Sequence, residues 1–69
     1  MELNEQEREV ILAYADHNMV ATDTARSIYR HRNAVFYYLG TVYKKTGLNP
    51  KNFYDLIKLV DMVKEKGNE

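Results

Sequence analysis

Two small apolar sets, Ala25 with Ile28 and Val35 with Leu39, are separated by the polar run Arg30-His31-Arg32. That interruption constrains the fold more than any other feature of the chain. With a corner at Arg30–His31, Ile28 and Val35 cannot lie on one helical face, but they meet if a second helix crosses the first. The stretch Thr24–Leu39, TARSIYRHRNAVFYYL, therefore reads as the end of a short helix, a tight corner and the start of a longer helix. This is the layout of a helix-turn-helix, whose second helix enters a groove of DNA. Arg26, Arg30, His31 and Arg32 surround the corner and Asn33 follows it.

The rest of the chain narrows the choices. Its 69 residues make one domain, residues 1–69, with the motif at about 22–46, near the lower size limit for a core that has no covalent or metal staple. There is no cysteine, so disulfides and zinc fingers are unavailable, and the two histidines belong to no ligand-like cluster. No cofactor and no metal are expected. The longest apolar run is too short to span a bilayer and no signal-peptide pattern is present, so no membrane partner is expected either. One proline and three glycines, with helical apolar spacing, predict an all-α fold of four helices.

The formal net charge is zero, but the charges are segregated. Residues 1–23 carry six acids and one arginine. Residues 24–54 carry six bases (Arg26, Arg30, Arg32, Lys44, Lys45, Lys51) and no acid, and residues 55–69 are nearly balanced. An acid-free stretch centred on the second helix of the motif favours an anion-facing surface over a merely solvated one.

Asn4 and Glu7 have the spacing of a capping box, and Glu5, Glu7 and Glu9 suit the first turns of a helix. Leu3, Val10, Ile11 and Tyr14 share one side of this helix, which is expected to end near Asp16–Asn18. Met19-Val20-Ala21 reads as apolar linker. Thr22 is the predicted cap of a second helix, Asp23–Tyr29, whose buried side is Ala25 and Ile28. His31 is the expected cap of the third helix, Arg32–Thr46, which Gly47 stops. The inward side of that helix is Val35, Tyr38 or Leu39, Val42 and Tyr43. Its outward side is Arg32, Asn33, Phe36, Tyr37 and Gly40. Lys44 and Lys45 suit either a helix end or a phosphate contact.

Gly40 is the odd residue, since an interior helical glycine costs about 1 kcal/mol relative to alanine. Either something approaches the backbone there or the cost is tolerated. Asn49 and Pro50 predict the start of a fourth helix running to Glu65, with Phe53, Leu56, Ile57, Val60 and Val63 as its core stripe. Tyr54, Leu59 and Met62 widen that stripe, and the excess serves either the core or a partner. Leu59 and Met62 are the candidates for a self-contact. No paired carboxylate, activated nucleophile, phosphate loop or metal cluster points to an enzyme.

At HRNAVFYYL the chain resembles the C-terminal helix-turn-helix domain of the PucR family of bacterial transcriptional regulators and, more distantly, the Fis-type helix-turn-helix. The family's Tyr-x-x-His-Asn run is met by Tyr14-Ala15-Asp16-His17-Asn18, and its Thr-Ala opening by Thr24-Ala25. Its His-Arg-Asn-Thr-hydrophobic run with a following Tyr and Leu is met by His31, Arg32, Asn33, Ala34, Val35, Tyr37 and Leu39, with Ala34 in place of Thr. Thr46-Gly47-Leu48 matches the Thr-Gly-Leu that ends the long helix. The likeness covers roughly residues 7–63.

The resemblance implies sequence-specific binding of double-stranded DNA through the third helix, as a transcriptional regulator in the cytoplasm, usually as a homodimer. Because family members usually carry large regulatory regions ahead of this domain, the chain is expected to be either an excised domain or a small stand-alone relative. Arg32 and Asn33 become the expected base contacts, and Arg26, Arg30, His31, Tyr37 and Lys44 the expected backbone contacts. The chain departs from the family where arginines usually flank the tyrosine, at Phe36 and Tyr38. It also departs at Arg30, where an apolar residue usually closes the corner, at Val20, where asparagine is common, and at Gly40, where a charged residue is common. These departures support an alternative, a protein-interaction module that kept the fold and binds a protein through Phe36, Tyr38, Leu59 and Met62.

Overall fold

The computed structural model describes residues 3–67, with side chains to residue 65. The chain is all-α: α1 spans Glu5–Asp16, α2 Ala21–Ser27, α3 Arg32–Thr46 and α4 Phe53–Gly67. Helix α1 is the central element. It packs against each of the other three, α2 packs on α3, and α4 rests on α1.

Most helix ends are set by local chemistry. The Asn4 side chain accepts from the Glu7 N–H while the Glu7 carboxylate accepts from the Asn4 N–H, both at 2.8 Å, which completes the capping box. At the other end of α1 the chain turns through Asn18 and Met19, both at positive φ, and the Met19 N–H donates back to the Tyr14 carbonyl at 2.8 Å. That turn is why α2 starts earlier than the sequence predicts. Val20 is already extended and serves as the cap through its backbone alone, with no side-chain hydrogen bond. The N–H and the hydroxyl of Thr24 both donate to the Val20 carbonyl, at 2.9 and 2.7 Å, so Thr22 lies inside the first turn and is not the cap.

Helix α2 closes with paired 6→1 and 5→2 bonds. The Arg30 N–H donates to the Ala25 carbonyl at 2.9 Å and the Tyr29 N–H to the Arg26 carbonyl at 3.4 Å. The C′ place of this motif, usually glycine, is held by Tyr29 at φ 58°. Helix α3 then opens on His31, whose Nδ1 accepts from the Asn33 N–H at 3.1 Å, and stops at Gly47 with φ 75°.

The start of α4 also differs from expectation. Asn49 and Pro50 form a separate turn in which Asn49 Oδ1 accepts from the Lys51 N–H and the Asn52 N–H donates to the Asn49 carbonyl. Asn52 is the residue that caps the helix, its Oδ1 accepting from the N–H groups of Tyr54 and Asp55 at 3.0 and 3.1 Å. The helix therefore begins at Phe53, and Pro50 is buried ahead of it.

The core joins Val10, Ile11 and Tyr14 of α1 to Ala25 of α2, Val35, Leu39 and Val42 of α3, and Leu56, Leu59 and Val63 of α4. Ile28 and Tyr38 pack half-buried against it, and Tyr43 is exposed, contrary to an inward placement. On α4 the buried stripe is Leu56, Leu59 and Val63, while Phe53 and Ile57 are exposed and Val60 is half-buried. Leu59 is 0 % exposed, so the reading of Leu59 as a partner-facing residue is overturned. Two overlapping stripes fit the α4 sequence equally well, and the position of α1 selects between them.

Candidate nucleic-acid interface

The outward surface of α3 follows from its inward one. Because Val35, Leu39 and Val42 are fixed against α1 and α2, Asn33, Tyr37, Gly40 and Lys44 emerge on the opposite, exposed side with Phe36 on its flank, and Arg32, three residues before Val35, is exposed because it opens the helix. His31 stands exposed at the head of this face. Its Nδ1 is engaged in the cap, which leaves Nε2 as the ring nitrogen free to donate outward.

The other cations divide by partner. Arg26 is exposed and pairs loosely with Asp23 one turn earlier, at 3.6 Å, a surface contact of little strength. Arg30 reaches Glu9 of α1 at 3.7 Å and lies over the Tyr38 ring at 5.8 Å, so it braces the corner against α1. This explains how a charged residue can stand where an apolar one would close the corner. Lys44 is exposed, whereas Lys45 is committed to Glu7. Lys51, in the turn before α4, places its Nζ 5.2 Å from the centre of the Phe36 ring and so adds a cation beside the face.

Glu7 fixes α3 in place. Its carboxylate is 1 % exposed and accepts from Lys45 Nζ at 2.8 Å, from the Thr41 hydroxyl and from the Asn4 N–H. Burial pushes the carboxyl upward, but the hydrogen bonds from Lys45, Thr41 and Asn4 together with the Lys45 charge outweigh it and hold Glu7 below its ordinary value. A cap residue on α1 is thereby tied to two residues of α3, at separations of 34 and 38 along the chain.

The aromatic residues do not form one patch. Phe36 and Tyr37 are exposed on α3, but Tyr38 is half-buried and meets the Tyr37 ring edge-on at 5.2 Å. Met62 is exposed on α4, which packs on α1 and not on α3, and Leu59 is inside. Tyr29 is the exposed aromatic that the sequence did not single out. It stands almost fully in solvent, 96 % exposed, at the corner itself.

A profile of the PucR C-terminal helix-turn-helix domain family matches residues 8–60. The chain belongs to this family. The match runs from the first turns of α1 to the middle of α4 and includes the whole α2–corner–α3 unit. No curated protein and no solved structure matches the chain significantly. As a PucR-type domain it has α3 as its outward helix, which presents Arg32 and Asn33 on its first turn. Among the described residues no three metal-binding side chains converge, and no helix is long and apolar enough to cross a membrane. Among the described residues an open apolar groove of about 410 Å³ lies between the end of α1 and α4, lined by Met19, Phe53, Ile57 and Val60 among others.

Proposed function

We propose that this PucR-type domain binds double-stranded DNA sequence-specifically through α3, as the DNA-binding unit of a bacterial transcriptional regulator working in the cytoplasm. The observation that carries this reading is the exposure of Arg32 and Asn33 side by side on the first turn of α3, within a stretch that has no acid. Arg matches the paired acceptors of guanine and Asn the donor–acceptor pair of adenine. His31 Nε2 and the Tyr37 hydroxyl near that turn, Arg26 on α2 and Lys44 in the last turn of α3 serve as donors to phosphate, with Lys51 beside Phe36 as a further one. Arg30 contributes to phosphate binding only by leaving Glu9; otherwise its role is to brace the corner. No catalytic role belongs to this reading, since His31 accepts a backbone N–H and is not oriented by an acid.

Binding of labelled duplexes at several salt concentrations tests it. Arg32→Ala is expected to lose about 1–3 kcal/mol on a selected site and to relax the preference at one base pair. Arg26→Ala is expected to weaken all sequences alike and to lower the salt slope by about one. A protein-binding reading is favoured by the exposed Phe36, Tyr37 and Tyr43 on the same helix. It predicts that Phe36→Ala abolishes capture of a partner, with little dependence on salt.

A homodimer through α4 accompanies the DNA reading. The exposed residues Ile57, Lys58, Asp61 and Met62 are arranged symmetrically about the point between Leu59 and Val60. Two α4 helices laid antiparallel about that point place Ile57 opposite Met62 and Lys58 opposite Asp61, twice each. Among the described residues neither Lys58 nor Asp61 takes part in an ion pair within the chain. Sedimentation equilibrium is expected to show a dimer that Lys58→Asp weakens and that Lys58→Asp combined with Asp61→Lys restores. A monomer at all concentrations, with or without a palindromic duplex, contradicts it.

A further inference from the structure

Two aromatic rings of α3 each carry a cation from another part of the chain. Arg30 of the corner lies 5.8 Å from the centre of the Tyr38 ring, and Lys51 Nζ lies 5.2 Å from the centre of the Phe36 ring. Both distances are within reach of a cation–π attraction. Tyr38 is half-buried, and its arginine is also held by Glu9. Phe36 is exposed, and among the described residues Lys51 pairs with no carboxylate. The acid nearest to it in sequence, Asp55, accepts instead from the Asn49 N–H at 3.0 Å.

The backbone of Lys51 is fixed independently of its side chain. Its N–H donates to Asn49 Oδ1 at 3.0 Å, the Asn52 N–H donates to the Asn49 carbonyl at 2.9 Å, and the neighbouring Pro50 is buried. From this turn the side chain brings its ammonium to α3, on the flank where Arg32 stands one turn before Phe36. A lysine that could point into solvent is thus held over a ring on the same flank as an arginine. That arrangement is stabilised most when an anion lies against both cations.

We infer that the turn around Lys51 belongs to the DNA-contact surface and that Phe36 is its positioning residue, whose ring holds the Lys51 ammonium where it meets a phosphate. The inference rests on the proposal that α3 binds DNA. It goes beyond that proposal by giving Phe36 a role and by extending the surface past the helix-turn-helix. It also fits the departure of this chain from its family. At Phe36, where an arginine is usual, the ring holds a cation supplied by another segment, so the positive charge of this flank is kept. The stacked ammonium still has N–H groups to donate outward. Holding it there reduces the freedom that a flexible lysine loses on binding.

The test measures duplex binding by the full chain, Phe36→Leu, Phe36→Tyr, Lys51→Ala, and Phe36→Leu combined with Lys51→Ala, at several salt concentrations. Lys51→Ala is expected to bind on the order of tenfold more weakly at low salt and to lower the salt slope by about one. Phe36→Leu changes no charge and is expected to bind about two- to fivefold more weakly, the range of a cation–π contact at an exposed site. Phe36→Tyr keeps the ring and is expected to bind like the natural chain. The double variant is expected to bind no more weakly than Lys51→Ala alone. In the free protein the Phe36 ring is expected to shift the NMR signals of the Lys51 side-chain protons, and Phe36→Leu to remove that shift. An equal loss from Phe36→Leu with and without Lys51 overturns the inference, because the ring then touches DNA by itself. If Arg32→Ala weakens binding while Phe36→Leu does not, the positioning role alone is wrong. If the natural chain binds no duplex at low salt, the DNA reading fails and the positioning role fails with it.

Discussion

Lys45 reaches from α3 to a carboxylate that α1 has carried out of solvent, and the two ends of this pair are not equivalent. Glu7 is almost fully buried, whereas the Lys45 side chain keeps 31 % of its surface exposed. Removing Glu7 leaves an ammonium that water can reach; removing Lys45 leaves a buried anion with two remaining donors. Lys45→Met is therefore expected to destabilise the domain more than Glu7→Gln. Breaking a buried pair costs about 3–5 kcal/mol, and the partial exposure of Lys45 puts its loss at the lower end of that range. The pH dependence has a definite sign. Because the folded Glu7 carboxyl is held below its ordinary value, its contribution is fully present above the unfolded glutamate value and is lost as pH falls through the lower folded value. Denaturant melts from neutral pH down to acid are expected to show this loss in the natural chain and a flatter acid limb in Glu7→Gln. Identical acid limbs would remove Glu7 from the account.

The helices differ in how far their ends can be read from sequence. Where a side chain acts on a backbone group a few residues away, the signal is local. The Asn4–Glu7 box, the His31 cap and the Gly47 stop are all of this kind, and α1 and α3 stand where the residues predict. Helix α2 starts on Val20, which caps through its backbone only, so Thr22 is the more persuasive residue in sequence and the wrong one. Before α4 two asparagines compete, and Asn49 spends its side chain on the preceding turn while Asn52 caps the helix. The burial of Leu59 and the Glu7–Lys45 pair depend on which helix lies alongside, and no spacing within one helix contains that. The outward residues of α3 were legible because fixing Val35, Leu39 and Val42 inward fixes the opposite face. Alanine at Leu39 or at Leu59, both fully buried, is expected to cost about 2–5 kcal/mol in urea melts. Met62→Ala on the exposed side of α4 is expected to leave the stability of the monomer nearly unchanged. A large effect at Met62 with none at Leu59 would reverse the assignment of the α4 faces.

On the scale of the whole molecule the zero net charge conceals a division of labour. The acids of α1 are concentrated at its first turns, where Glu7 holds α3 through Lys45 and Thr41 and Glu9 holds the corner through Arg30. Two of the bases in the acid-free stretch thus serve the fold, Arg26 stays exposed on α2 beside Asp23, and Arg32, Lys44 and Lys51 remain at or beside the exposed surface of α3. Under the proposed DNA reading, this surface is expected to bind with an affinity that falls as salt rises, since each phosphate neutralised releases counterions. The most direct measurement is a backbone NMR titration of the full chain with a duplex at two salt concentrations. The account predicts shift changes concentrated in residues 24–45, largest around His31–Tyr37, which shrink at the higher salt and are sharply reduced by Arg32→Ala. No shifts at low salt, or shifts centred on α4 that are indifferent to salt, would contradict it.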